Sequence, residues 1–192
     1  QVYQNTIHYM YNSKGVIMIY INEIKAANLN LSGKGGKEKQ IKEIFTTPAK
    51  PSIRINAPLF DIIQGENRIE LKKQGNTQWF DIGKYHNLKS EDRDILMTFI
   101  LTSRGRKSDP CKAGFIEKIF SIKLGEMLDI LTANETYKIW GWTFENIETC
   151  YNQKKKYPTQ QAKVKIEVRN FFNDNINKFN IIWERQISIP WE

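Results

Sequence analysis

The stretch Ile53 to Lys73, IRINAPLFDIIQGENRIELKK, decides how this chain reads. An extended apolar run leads into Gly65-Glu66-Asn67, and an alternating run follows. There Ile69 and Leu71 fall on one face, and Arg68, Glu70 and Lys72 on the other. Alternation of period two beyond a Gly-x-Asn turn is the pattern of a β-hairpin with one buried face. Gly65 and Asn67 suit the turn because both tolerate tight or left-handed backbone.

The pattern recurs outward from that hairpin. Val16 to Ile24 (VIMIYINEI) starts apolar on both faces, and Ile95 to Thr102 (ILMTFILT) is apolar on both throughout, so both read as central buried strands. Trp79 to Ile82, Phe115 to Leu124, Tyr137 to Phe144, Lys163 to Val168 and Ile181 to Ile189 read as further strands. Helix is limited to one turn over Lys39 to Phe45 and about two turns over Glu126 to Ala133, with Met127, Leu128 and Leu131 as the apolar edge. The Asn-rich FFNDNINKFN that starts at Phe171 reads as turn or loop. Long crossover helices are missing from the connections, which favours antiparallel pairing. The predicted fold is all-β: an antiparallel two-sheet sandwich with one or two short helices, forming a single domain over residues 1–192. Lys89 to Asp94 is the only candidate boundary.

Three segments carry a resemblance. Ile21-Asn22-Glu23-Ile24, then Ile55 to Ile62 (INAPLFDI), then Gly65 to Leu71 (GENRIEL) resemble the middle of a galactose-binding-like jelly roll. Roughly a quarter of the chain is covered. The resemblance implies a jelly-roll sandwich and carries over no calcium or sugar contacts.

Composition narrows the function classes. The chain has 40% hydrophobic residues, which is globular rather than disordered. Its longest apolar run, Val16 to Ile21, is strand-sized and far short of a membrane span. A net charge of +8 invites a nucleic-acid reading. The lysines and arginines are scattered among acids on solvent faces, however, and the clusters at Lys34 to Lys39 and Lys154 to Lys156 look like solvated loops. An acidic protein partner or an anionic envelope surface fits at least as well as phosphate.

No catalytic signature stands out. His8 and His86 lie far apart and outside metal-ligand spacing, and no Gly-x-Ser-x-Gly occurs. Lys34-Gly35-Gly36-Lys37 is followed by Glu38, which breaks the spacing of a phosphate loop. Glu91, Asp92 and Asp94 crowd one polar turn instead of facing each other across a cleft. The reading is therefore not an enzyme, with no cofactor and no metal.

Two features remain as candidate sites. Trp140, Trp142 and Phe144 share one face of a strand, as core filling or as a platform for sugar rings. Trp191 follows Pro190 near the chain end, as a clamp on the sandwich rim or as an exposed contact. Cys111 and Cys150 are expected to pair in an oxidising compartment, against the alternative of two free thiols. Closing a loop of about 40 residues would contribute about 3–4 kcal/mol. The chain begins at Gln1, which fits a removed signal peptide or a trimmed chain. The function expected is that of a non-catalytic, exported bacterial binding protein, periplasmic or extracellular: an accessory or immunity-type protein-interaction module of the envelope. The alternative is a carbohydrate-binding module. The expected partner is a protein, possibly acidic, or a glycan, with neither nucleic acid nor a membrane span.

Overall fold

Leu96 to Thr102 is buried at every position. Leu96 and Ile100 pack to one side of it, and Met97, Phe99 and Leu101 to the other. A strand apolar on both faces requires cover on both. In the computed structural model it has a layer on each side.

The structure describes residues 5–12, 15–32, 38–45, 53–54, 59–74, 77–81, 85, 88–103, 114–133, 138–139, 142–143 and 163–186, some of them as backbone only. The strands are β1 (Asn5–Asn12), β2 (Gly15–Asn22), β3 (Ile53–Arg54), β4 (Ile62–Gln64), β5 (Asn67–Gln74), β6 (Thr77–Asp81), β7 (Leu96–Thr102), β8 (Ile116–Lys123), β9 (Lys138–Ile139), β10 (Trp142–Thr143), β11 (Lys163–Glu167) and β12 (Asn180–Glu184). The helices are α1 (Glu23–Asn28), α2 (Glu38–Ile44), α3 (Leu124–Ala133) and α4 (Val168–Asp174). Short 3-10 turns cover Ser90–Asp94 and Ile176–Lys178.

The central sheet has the order β12-β8-β7-β5-β4-β3. Its β5–β7 pair is parallel, Ile69 lying beside Leu96 and Gln74 beside Leu101. Its other pairs are antiparallel. One face carries α3, α4 and β11, whose Leu128, Leu131, Ile166, Phe171 and Phe172 close over Phe99 and Phe120. Phe120 stacks against Phe99 at 5.4 Å and meets Phe172 at 4.4 Å and Phe179 at 5.2 Å. The opposite face carries β2, α1 and α2, whose Ile19, Ile21, Ala26, Ile41, Ile44 and Phe45 cover Ile62, Ile69 and Ile100. A smaller sheet, β10-β9-β11-β6, adjoins the first layer through Ile166 of β11.

The all-β antiparallel sandwich is therefore corrected. The architecture is a mixed sheet, one pair parallel, between two layers that contain the four described helices. Two physical reasons account for the difference. First, Asn22 and Glu167 stop strands that the alternation alone extends. Asn22 accepts a hydrogen bond from Lys25 N at 2.9 Å and caps α1. Glu167 accepts one from Asn170 N at 2.8 Å and caps α4, so that Val168, Phe171 and Phe172 are buried at helical spacing. Second, the chain between Gln74 and Leu96 is long enough for a crossover without a long helix, since it travels through β6 and the turn at Ser90–Asp94.

The hairpin expected around Gly65 is present as β4–β5, with Ile62 opposite Ile69 and Gly65 at φ +60°. Strands β1 and β2 form a separate antiparallel pair. Two side-chain amides bind that pair to the central sheet. Tyr20 N donates to Gln64 Oε1 at 2.8 Å, while Gln64 Nε2 donates to Tyr20 O at 2.8 Å and to Phe45 O. Asn67 Nδ2 donates to Met18 O at 2.8 Å. Gln64 and Asn67 thus pair with the outward edge of β2 much as a neighbouring strand would.

Candidate functional site

A cleft of about 630 Å³ opens where β8, β12 and α4 meet. Irregular strand pairing creates it. Leu101 lies opposite Lys118, but Thr102 lies opposite Ile116, so Glu117 is an extra residue in β8. Such a bulge turns a side chain away from its alternating position. Both Glu117 and Lys118 reach groups on α4: Glu117 the guanidinium of Arg169, and Lys118 the ring of Phe172. A second irregularity, between Ile181 and Trp183, brings the end of β12 alongside.

Leu101, Phe115 and Phe172 line the cleft with apolar surface, and five charged groups surround them. Arg169 Nη2 donates to Glu117 Oε2 at 2.5 Å and to Thr102 O at 3.1 Å. Its Nε is buried without a hydrogen-bond partner. Lys118 Nζ sits 2.9 Å from Glu184 Oε1 and 4.8 Å from the Phe172 ring centre. Arg185 is held between Phe115 and Trp183, at 5.5 and 5.7 Å, and donates to Ile116 O and Ala27 O at 2.8 and 2.7 Å. Three cations therefore face two carboxylates, and both carboxylates are already paired to a cation.

A second cleft, about 660 Å³, lies across β12 on the α1 side. Ile24 and Ile181, 51% and 46% exposed, line it together with Ala27 and Trp183. Glu184 and Arg185 form a rim common to both clefts.

A further charged group surrounds the start of β4. Asp61 Oδ2 accepts from Leu71 N at 2.7 Å, and Asp61 Oδ1 is 3.8 Å from Lys42 Nζ. Lys72 reaches the buried Glu70 at 2.5 Å. Burial raises the Asp61 carboxyl above its usual range, and the nearby Glu70 adds to this; the Leu71 amide and the Lys42 and Lys72 ammonium groups oppose it. This cluster anchors the β4–β5 hairpin, and no described cleft opens onto it.

The chemistry available in the α4 cleft is ionic and apolar. No histidine or cysteine lines it among the described residues, and no group of three potential metal ligands occurs among them. None of the residues singled out from sequence is among the described residues that line it. The strand expected over 137–144 is in two pieces, β9 and β10, which pair with each other. Trp140, Phe144, Trp191, Cys111, Cys150 and the side chain of Trp142 lie outside the described residues. Glu117, Lys118, Arg169 and Arg185 had no sequence signal, because each sits in a mixed-charge run that resembles a solvated face. The chain matches no family model, and comparison with curated proteins and with solved structures found no match.

Proposed function

We propose that this protein works by binding rather than by catalysis, as an interaction module that receives an acidic segment of a partner protein in the α4 cleft. The observation that carries this reading is the guanidinium of Arg169. Its Nη2 is held by Glu117 and Thr102, while Nη1 makes no hydrogen bond among the described residues, and the apolar wall of Phe172 and Phe115 stands beside it. A guanidinium fixed by its own chain and open on one side is preorganised for a carboxylate. Lys118 and Arg185 add positive potential, and the chain's net charge of +8 favours encounter with an acidic surface.

Selection of random peptides displayed on phage against the purified protein tests this. The expected result is enrichment of Asp or Glu beside Leu or Phe, with binding weakened about tenfold or more by Arg169→Gln. Circular dichroism and urea unfolding establish that the variant is folded. Selected peptides lacking acidic residues, or bound equally well by folded Arg169→Gln, would overturn the reading.

A further inference from the structure

We infer that Glu184 is a displaceable stand-in for the partner: its carboxylate occupies Lys118 in the free protein and yields that ammonium to a second acidic residue of the bound segment. This rests on the acidic-partner reading and specifies what the segment must carry, two acidic residues rather than one. The two ion pairs of the α4 cleft are built differently. Glu117 belongs to the bulge within β8, and the Arg169 it holds is also tied to Thr102 O at 3.1 Å. Glu184 is the last residue of β12 and lies opposite Lys118. Its side chain is 55% exposed, against 37% for Glu117. An ion pair with one member mostly in solvent contributes little to stability, because water replaces the interaction at low cost. Lys118 is less free to leave. Its side chain is 20% exposed and its ammonium lies 4.8 Å from the Phe172 ring centre, so it stays in the cleft when Glu184 swings away.

The two cations are also neighbours. Arg169 and Phe172 are three residues apart in α4, a spacing that puts them on one face of the helix. The guanidinium of Arg169 and the ammonium held at Phe172 therefore border the same apolar wall, about one helical turn apart. Arg185, the third cation, is committed to the carbonyls of Ile116 and Ala27. A first carboxylate takes the open side of Arg169 and displaces nothing. A second reaches Lys118 only by taking the place of Glu184. That exchange keeps Lys118 paired and releases Glu184 to water, so Glu184 sets a threshold that a singly acidic segment never meets. Neutralising Glu184 should then tighten a doubly acidic segment and leave a singly acidic one nearly unaffected.

The probe is acetyl-Phe-Glu-Gly-Glu-Phe-amide, whose glycine leaves the two carboxylates free to find their cations. It is compared with acetyl-Phe-Gln-Gly-Glu-Phe-amide and acetyl-Phe-Glu-Gly-Gln-Phe-amide, each titrated into the full chain by NMR. Glu184→Gln should tighten the two-acid peptide about threefold to fivefold, the range of an exposed ion pair, and change the one-acid peptides by less than about 1.5-fold. Lys118→Met removes the charge while keeping an apolar side chain against Phe172, and combining it with Glu184→Gln should abolish the gain. Asp174→Asn removes an acid that is exposed on α4 outside the cleft, and should give no comparable gain. Circular dichroism and urea unfolding establish that each variant is folded. Equal tightening of one-acid and two-acid peptides, a gain from Asp174→Asn that matches the gain from Glu184→Gln, or no gain at all would overturn the exchange at Lys118. Peptide binding that still depends on Arg169 would then leave the acidic-partner reading standing. Failure of the two-acid peptide to bind either wild type or Glu184→Gln would overturn the exchange as well, the acidic-partner reading being decided by the display selection.

Discussion

Gln64→Met offers the sharpest test of how the layers are joined. Methionine preserves the length and approximate volume of glutamine but supplies none of its three hydrogen bonds. Tyr20 N loses its acceptor, and Tyr20 O and Phe45 O lose their donor. A buried backbone group left unpaired costs about 1–3 kcal/mol. The two Tyr20 groups are partly buried and belong at about 1 kcal/mol each, whereas Phe45 O is fully enclosed and belongs near 2. Burying the more apolar methionine returns about 1 kcal/mol. The expected net loss is about 3 kcal/mol, or a fall of roughly 1.5 M in the urea midpoint at a slope near 2 kcal/mol/M. Hydrogen exchange gives an independent reading, since the Tyr20 amide should exchange much faster in the variant. A loss below about 1 kcal/mol with an unchanged slope would refute the claim that the hydrogen bonds of this amide help hold β2 and α2 to the central sheet.

Two further predictions concern charge and backbone. A raised Asp61 carboxyl means that the folded chain holds this proton more tightly than the unfolded chain, so its contribution to stability falls as pH rises from the ordinary carboxylate range through the raised value. Asp61→Asn keeps an oxygen for Leu71 N and cannot ionise, so its stability relative to wild type should be more favourable at pH 7 than at pH 3; unfolding curves showing the same offset at both pH values would remove the burial effect. Gly114 sits at φ +89°, where an added Cβ would lie 2.5 Å from Ser32 N and 2.7 Å from Asn30 Oδ1. Leu31 N donates to Gly114 O at 2.7 Å and prevents easy withdrawal. Gly114→Ala should therefore lose at least about 2 kcal/mol in urea unfolding, and a near-neutral result would contradict the tight approach.

Much of the sheet was legible because burial writes itself into periodicity. Ile95 to Thr102 read as a two-sided buried strand and is the central β7. The turn at Gly65 and the buried Ile19, Phe99, Leu101 and Ile166 follow the same logic. Where the reading failed, a polar residue changed the backbone without altering the apolar rhythm. Isoleucine alternation runs through Asn22, and valine-isoleucine alternation runs through Glu167, yet each caps a helix that takes over the pattern. Parallel pairing of β5 with β7 has no local signature, since its partners are set by the path of the intervening chain. The cleft was the least legible part. Arg169 meets Glu117 only because β8 carries one extra residue there, and an insertion of one residue in a strand leaves the composition looking ordinary.

The amide of Gln64 also ties the docking of one hairpin to the register of another. In a strand, a slip of one position turns each side chain to the opposite face. If β4 paired with β5 one residue out of step, Gln64 would face the α3 and α4 layer, and Tyr20 and Phe45 would meet no amide. Asn67, at the other side of the same turn, would miss Met18. The full set of hydrogen bonds from the β1–β2 hairpin and the end of α2 is therefore compatible only with a β4–β5 hairpin closed in this register at Gly65. The hydrogen bonds between the two hairpins thus check the alignment of one against the backbone of the other.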